Sequence, residues 1–175
     1  HYVDVMCQIT DAKPVSVRGM GLRLSDDIAP DMYNYGHLQV TFDDGSIGWY
    51  EAGWGPMISE TAFFVKDVMS PKGCVSIVMD PNAKSDDIDT HTKTSTIRLH
   101  KAATGPDGTF KEPDQFLQME GEPGHQELCD REQAYVLKAI RENIDLNRHM
   151  TDAVQSLRIC LAADESARTG RLVDL

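Results

Sequence analysis

Between residues 33 and 54 the chain places Tyr33, Tyr35, Trp49, Tyr50 and Trp54 around Glu51. Aromatic rings offer flat apolar faces and a carboxylate accepts hydrogen bonds from hydroxyls. Together they suit a sugar-like ligand, which has apolar ring faces and hydroxyl rims. Tyr35, Glu51 and Trp54 are the candidate substrate-binding residues, and core packing is the competing role for the aromatic set. Other groupings carry less. Asp86, Asp87, Asp89 and His91 lack the turn glycine and terminal glutamate of a calcium loop and read as a solvated acidic loop. His125 and Cys129 are four apart, but two ligands do not make a zinc site, so no metal is expected. His37, His100 and His149 have no recognisable partners and read as surface or strand histidines. A dinucleotide fingerprint needs G-x-G-x-x-G between a strand and a helix; the stretch GMGLRL has Leu24 at the third position and lies within a strand. No cofactor-binding residue is therefore expected in this chain.

The elements that must position these residues are constrained by composition. A chain of 175 residues with 41% hydrophobic and 26% charged residues can bury a core, and residues 1–175 read as one domain. Apolar runs such as VSIVM are far shorter than the ~20 residues a membrane helix needs. The net charge of −11, with scattered Lys and Arg, argues against nucleic acid, whose phosphates attract clustered cations. Cys7, Cys74, Cys129 and Cys160 are widely spaced and read as reduced core residues, which favours the cytoplasm.

HYVDVMCQI has helical spacing of apolar residues but no capping residue before it, so the chain is expected to be a fragment with its upstream part removed. Pro14 starts a strand in PVSVRGMGLRL. Leu38, Val40 and Phe42 alternate with polar neighbours as in a half-buried strand, and Asp44-Gly45 is expected to turn it with positive φ angles. Ile47, Trp49 and Tyr50 carry the return strand, with apolar residues on both faces. A second hairpin is expected around Pro71 and Gly73, then a strand at TSTIRLHK. PNAKSDDIDTHTK and GPDGTFKEPDQFLQMEGEPG read as long loops.

The last third reads as helical. Asp130 with Gln133 resembles a capping box for a helix bearing Cys129, Val136, Leu137, Ile140 and Ile144 on its apolar face. Thr151 is the expected N-cap of a second helix whose core stripe is Val154, Leu157 and Leu161. Small residues at Ser156, Cys160, Ala163 and Ala167 would let that helix sit close on a sheet. Gly170 should end it, and RLVDL reads as a closing strand. Hairpins followed by helices give an α+β fold: an open, mostly antiparallel sheet with helices packed on one face. The other face must be solvated or covered by another chain or domain.

Three stretches together resemble the Gfo/Idh/MocA family of NAD(P)-dependent oxidoreductases (glucose–fructose oxidoreductase, inositol dehydrogenase, rhizopine catabolism). YNYGHLQVTFDDGSIGWYEAGWGP is similar to the family's strand–DGS–strand unit. TDAVQSLRICLAADESARTGRLVDL looks like its last helix and strand, and HYVDV resembles its H-x-x-D helix. The resemblance covers the C-terminal half of a family member. It implies a missing N-terminal Rossmann domain that binds NAD or NADP, with no cofactor bound by this part alone. It also implies a sugar, inositol or related polyol substrate oxidised or reduced by hydride transfer, and a homo-oligomer formed through the open sheet face. His1 matches the family's catalytic histidine; the partner Asp and Lys would lie upstream. Imidazole, with an ordinary pKa of ~6.5, suits removal of a carbinol proton. Alone, such a fragment should be inactive. The alternative is a stand-alone binding or oligomerisation module that keeps the fold without the chemistry.

Overall fold

The computed structural model describes residues 1–55, 66–78 and 93–175. It has an α+β fold built from open antiparallel sheets and helices, with the strands grouped as two four-stranded sheets. The chain divides into two compact units, residues 1–58 with 142–175 and residues 59–141.

The first unit begins with α1 (Tyr2–Thr10), followed by β1 (Pro14–Leu22), β2 (Tyr35–Phe42) and β3 (Ile47–Gly53). Its sheet has the order β3-β2-β1-β8, closed at one edge by β8 (Val173–Asp174). Alternation along the strands decides which face is covered. Val17 of β1 and Leu38, Val40 and Phe42 of β2 are buried against Val3 and Cys7 of α1. Ile159 and Ala162, from the long C-terminal helix, complete that core. The β2–β3 turn departs from the expected pair of positive φ angles. Only Gly45 is left-handed, at φ 84°, while the Asp44 carboxylate accepts from the Ser46 amide at 2.9 Å and its hydroxyl at 2.6 Å. Bonding Ser46 locally spares Asp44 the strained conformation.

The second unit holds β4 (Asp67–Ser70), β5 (Gly73–Val78), β6 (Thr96–Lys101) and β7 (Gln115–Gln118), paired in that order, and α2 (His125–Glu142). The hairpin expected at Pro71 and Gly73 joins β4 to β5, with Gly73 at φ 150°. β7 lies inside a segment expected to be loop. Residues Asp86, Asp87, Asp89 and His91 lie outside the described residues.

Two helix starts differ from expectation. α2 begins at His125, so Asp130 lies inside the helix and bonds Gln126 at 2.9 Å rather than capping. The C-terminal helix α3 spans Asn147–Thr169, and Thr151 donates within it to the Asn147 carbonyl at 2.9 Å. It stops at Gly170, in the left-handed conformation at φ 69°, as expected.

The core stripe also differs. Val154, Leu157 and Leu161 are 54%, 60% and 63% exposed, and α3 instead buries Ile159, Ala162 and Ser166. The reason is how closely α3 lies on β1. A Cβ built on Gly19 would sit 2.2 Å from the Ala163 carbonyl oxygen, so only small side chains fit along that line. The expectation that small residues allow close packing thus holds, with the register of the buried face shifted. On α2, Val136, Leu137 and Ile140 are exposed, while Ala139 is buried. All four cysteines are free thiols, but only Cys7 is a core residue and Cys160 is exposed.

Candidate functional site

The four expected site residues all belong to the first unit. His1 sits at the head of α1, where its carbonyl accepts the first helical bond from the Val5 amide at 3.0 Å. Its side chain does not cap the helix and is exposed. One residue on, Tyr2 stacks on Tyr50 of β3 with ring centroids 5.5 Å apart. Met6, a turn later, packs over Gly48, where an added Cβ would meet its sulfur at 2.8 Å. These contacts hold α1 on the covered face of the sheet. Burial raises the phenol pKa of both Tyr2 and Tyr50.

Tyr35 and Glu51 meet on the other face. The Tyr35 hydroxyl donates to Glu51 Oε1 at 2.7 Å, and this bond raises the Tyr35 pKa because it favours the neutral phenol. Beside them His37 stacks on Trp49, with centroids 4.9 Å apart and rings 7° from parallel. Strand parity explains the arrangement. Leu38, Val40 and Tyr50 point to the helices, so Tyr35, His37, Trp49 and Glu51 point away from them.

A shared site for the four residues is therefore not what the structure builds. Tyr35 and Glu51 are brought together, but the sheet lies between them and α1. Trp54 lies past the end of β3, 69% exposed, its amide donating to the Asn34 carbonyl at 2.7 Å.

Sequence reasoning missed Asn34, which organises the end of the sheet nearest Trp54. Its Oδ1 accepts from the Leu24 amide and its Nδ2 donates to Ser25 Oγ, both at 2.8 Å. It also missed the contacts of Tyr33, whose ring covers Gly21 and whose hydroxyl donates to Asp164 at 2.9 Å. The Arg168 guanidinium, 2.9 Å from the same carboxylate, and the Tyr33 hydroxyl hold the Asp164 pKa below its ordinary value. Asn before a strand is a turn signal that could have pointed to Asn34; nothing in the spacing paired Tyr33 with a residue 131 positions away.

Among the described residues no group of three or more His, Cys, Asp or Glu side chains could hold a metal ion. Nor, among them, is any helix long and apolar enough to cross a membrane.

No protein-family model matches the chain, and no curated protein matches it. Solved structures do. Aldose-aldose oxidoreductase from Caulobacter crescentus, complexed with glycerol, superposes with a TM-score of 0.67 at 18% identity over 99% of this chain. The WlbA dehydrogenase from Bordetella pertussis, in complex with NADH and UDP-GlcNAcA, gives 0.60 at 19% identity over 100% of it. The UDP-N-acetylglucosamine 3-dehydrogenase GnnA from Acidithiobacillus ferrooxidans gives 0.65 at 16% identity over 95%. This chain shares their fold. It spans 45%, 42% and 47% of their respective lengths, so its fold corresponds to somewhat under half of each oxidoreductase. The family resemblance drawn from the three sequence stretches is thus matched at the level of fold.

Proposed function

We propose that this chain is the C-terminal, substrate-side domain of an NAD(P)-dependent oxidoreductase of the Gfo/Idh/MocA type. Its substrate is a sugar, inositol or related polyol, and the reaction is hydride transfer. The observation that carries this reading is the fold match over 95–100% of the chain to under half of several sugar-related oxidoreductases. The histidine at the head of α1 supports it.

In this reading His1 accepts the carbinol proton of the substrate. NAD or NADP, held by a preceding domain, would supply the hydride acceptor. The residues of this chain position the base: Tyr2 on Tyr50 and Met6 over Gly48 fix α1, at whose head His1 stands. Trp54, exposed past β3, is the aromatic surface offered to a sugar ring. Tyr35 and Glu51, across the sheet from α1, belong to the bare face and not to the same ligand. The test is turnover of polyols with NAD(P) by the protein carrying this chain behind a cofactor domain. Turnover there and none by the isolated chain is the expected outcome; turnover by the isolated chain would overturn the reading. The free thiols fit a cytoplasmic location.

A second reading, a binding or oligomerisation module without chemistry, draws on the bare face itself. Met20, Ile47 and Trp49 are 55%, 70% and 54% exposed there, an apolar surface suited to a second copy of the chain. The two readings are compatible in assembly and differ in catalysis.

A further inference from the structure

The sheet of the second unit carries a connected set of chemically capable side chains that the proposed function does not use. In the pairing of β5 with β6, Cys74 lies directly opposite His100 and Ser76 opposite Arg98. Directly opposed residues in an antiparallel pair share a face, with Cβ atoms about 4.5–5.5 Å apart. Asp114, just before β7, reaches the same face: its Oδ1 lies 2.8 Å from His100 Nδ1, and its Oδ2 lies 3.9 Å from Arg98 Nε.

The hydrogen bonds define what each group can do. A carboxylate only accepts, so Nδ1 of the neutral imidazole carries the proton and Nε2 keeps the basic lone pair. The Phe110 ring meets His100 edge-on at 4.5 Å and holds the imidazole plane. Arg98 donates to Ser76 Oγ at 3.1 Å, and Ser76 Oγ lies 3.4 Å from Cys74 Sγ. Ser76 is 5% exposed, so its hydroxyl cannot turn freely to water. With one lone pair engaged by the guanidinium, its proton is free to point at the sulfur and stabilise charge there. Cys74 itself is only partly buried. A thiol, an opposed imidazole and a carboxylate that orients the imidazole are the components of an activated cysteine.

We propose that Cys74 is a nucleophilic thiol that exchanges with low-molecular-weight disulfides, with His100 as its base and Asp114 as a positioning residue. In the exchange the Cys74 thiol proton passes to the imidazole of His100, opposite it in the β5–β6 pair, and Cys74 Sγ attacks one sulfur of the disulfide. A new S–S bond forms as the old one breaks, and the departing thiolate takes the proton from the imidazolium. The electron count balances without any further oxidant: Cys74 is oxidised to a mixed disulfide and half of the small disulfide is reduced to thiol.

The test uses the whole chain and oxidised glutathione, with the extent of modification at each cysteine followed by peptide mass mapping. Cys160, exposed and outside this network, is the internal reference. Cys74 should react about tenfold faster than Cys160 or more. The pH profile of its rate should differ from that of Cys160. His100→Asn should abolish both the advantage and the difference in profile. Asp114→Asn should reduce the advantage and alter the profile, while Cys160 keeps its wild-type rate in both variants. Equal or faster reaction at Cys160 in the unsubstituted chain would overturn the proposal without any variant. A Cys74 rate and profile indifferent to both substitutions would overturn the role of the imidazole.

Discussion

The Gly19 amide donates to Ser166 Oγ at 2.9 Å, joining the middle of β1 to α3 through a side chain that is 1% exposed. The same hydroxyl donates to the Arg171 carbonyl, just past the end of the helix. One serine thus ties strand, helix and the turn into β8. Three residues earlier, the Ala163 carbonyl lies where a Gly19 side chain would be. Gly19→Ala should therefore destabilise this unit by about 3 kcal/mol or more, since backbone rather than a flexible side chain must move. Ser166→Ala leaves a buried amide and carbonyl unpaired and should cost about 1–3 kcal/mol. Both tryptophans, Trp49 and Trp54, lie in this unit, so denaturant unfolding followed by tryptophan fluorescence reads the loss. Unchanged midpoints would contradict the packing account.

This relationship also shows where the sequence stopped being legible. Strong period-two alternation made β2 readable, and the turn residues around Gly45 and Gly73 marked both hairpins. β7 was hidden because Gln115–Gln118 is short and lies between Pro113 and Gly121, in a stretch rich in charge and turn formers. On α3 the largest apolar residues suggested the wrong face. Hydrophobicity favoured Val154, Leu157 and Leu161, but the approach to Gly19 selects size over hydrophobicity, and that approach is a property of the pair. The candidate site was legible as residue types only. Parity along β3 separates Glu51 from Tyr50, yet which parity faces α1 depends on Tyr2 and Met6, and those contacts exist only once the sheet is formed.

The bare face of the first sheet makes a prediction about assembly. Ile47 and Trp49 stand exposed on it, beside His37 and the Tyr35–Glu51 pair. Light scattering at high micromolar concentration should report at least a dimer. Trp49→Glu should shift that population to monomer, because a carboxylate buried in an apolar contact is strongly unfavourable. A monomer before substitution would contradict the assignment of this face to a second copy.

Tyr35 should titrate above the ordinary phenol range of about 10, because the bond to Glu51 favours the protonated form and the carboxylate opposes the phenolate. Glu51→Ala removes both effects and should bring the titration back down, as read by the ultraviolet absorbance of tyrosinate. The sign follows from linkage. A pKa raised in the folded state gives stabilisation that is full below the unfolded phenol's pKa and is lost as pH rises through the folded value. The effect on stability thus belongs to alkaline solution and is absent near neutrality.

The pairing of Asp164 with Arg168 and Tyr33 has the opposite dependence. Its pKa is lowered on folding, chiefly by the Arg168 bond. What it contributes is present above the unfolded carboxylate's ordinary pKa of about 3.9 and is lost as pH falls through the lower folded value. Asp164→Asn should flatten the acid limb of the stability curve, measured as unfolding midpoint against pH, without altering the neutral region's shape. An unchanged acid limb would contradict the assignment.

His1 is the residue on which the proposed reaction depends most directly. The most direct measurement follows reduced nicotinamide by absorbance, with sugars and polyols as substrates, in a protein that carries this chain behind a cofactor domain, with and without His1→Ala. The proposed role predicts polyol-dependent turnover that falls by about a hundredfold or more on substitution, with the fold of α1 retained through Tyr2 and Met6. Turnover that survives His1→Ala undiminished would contradict it.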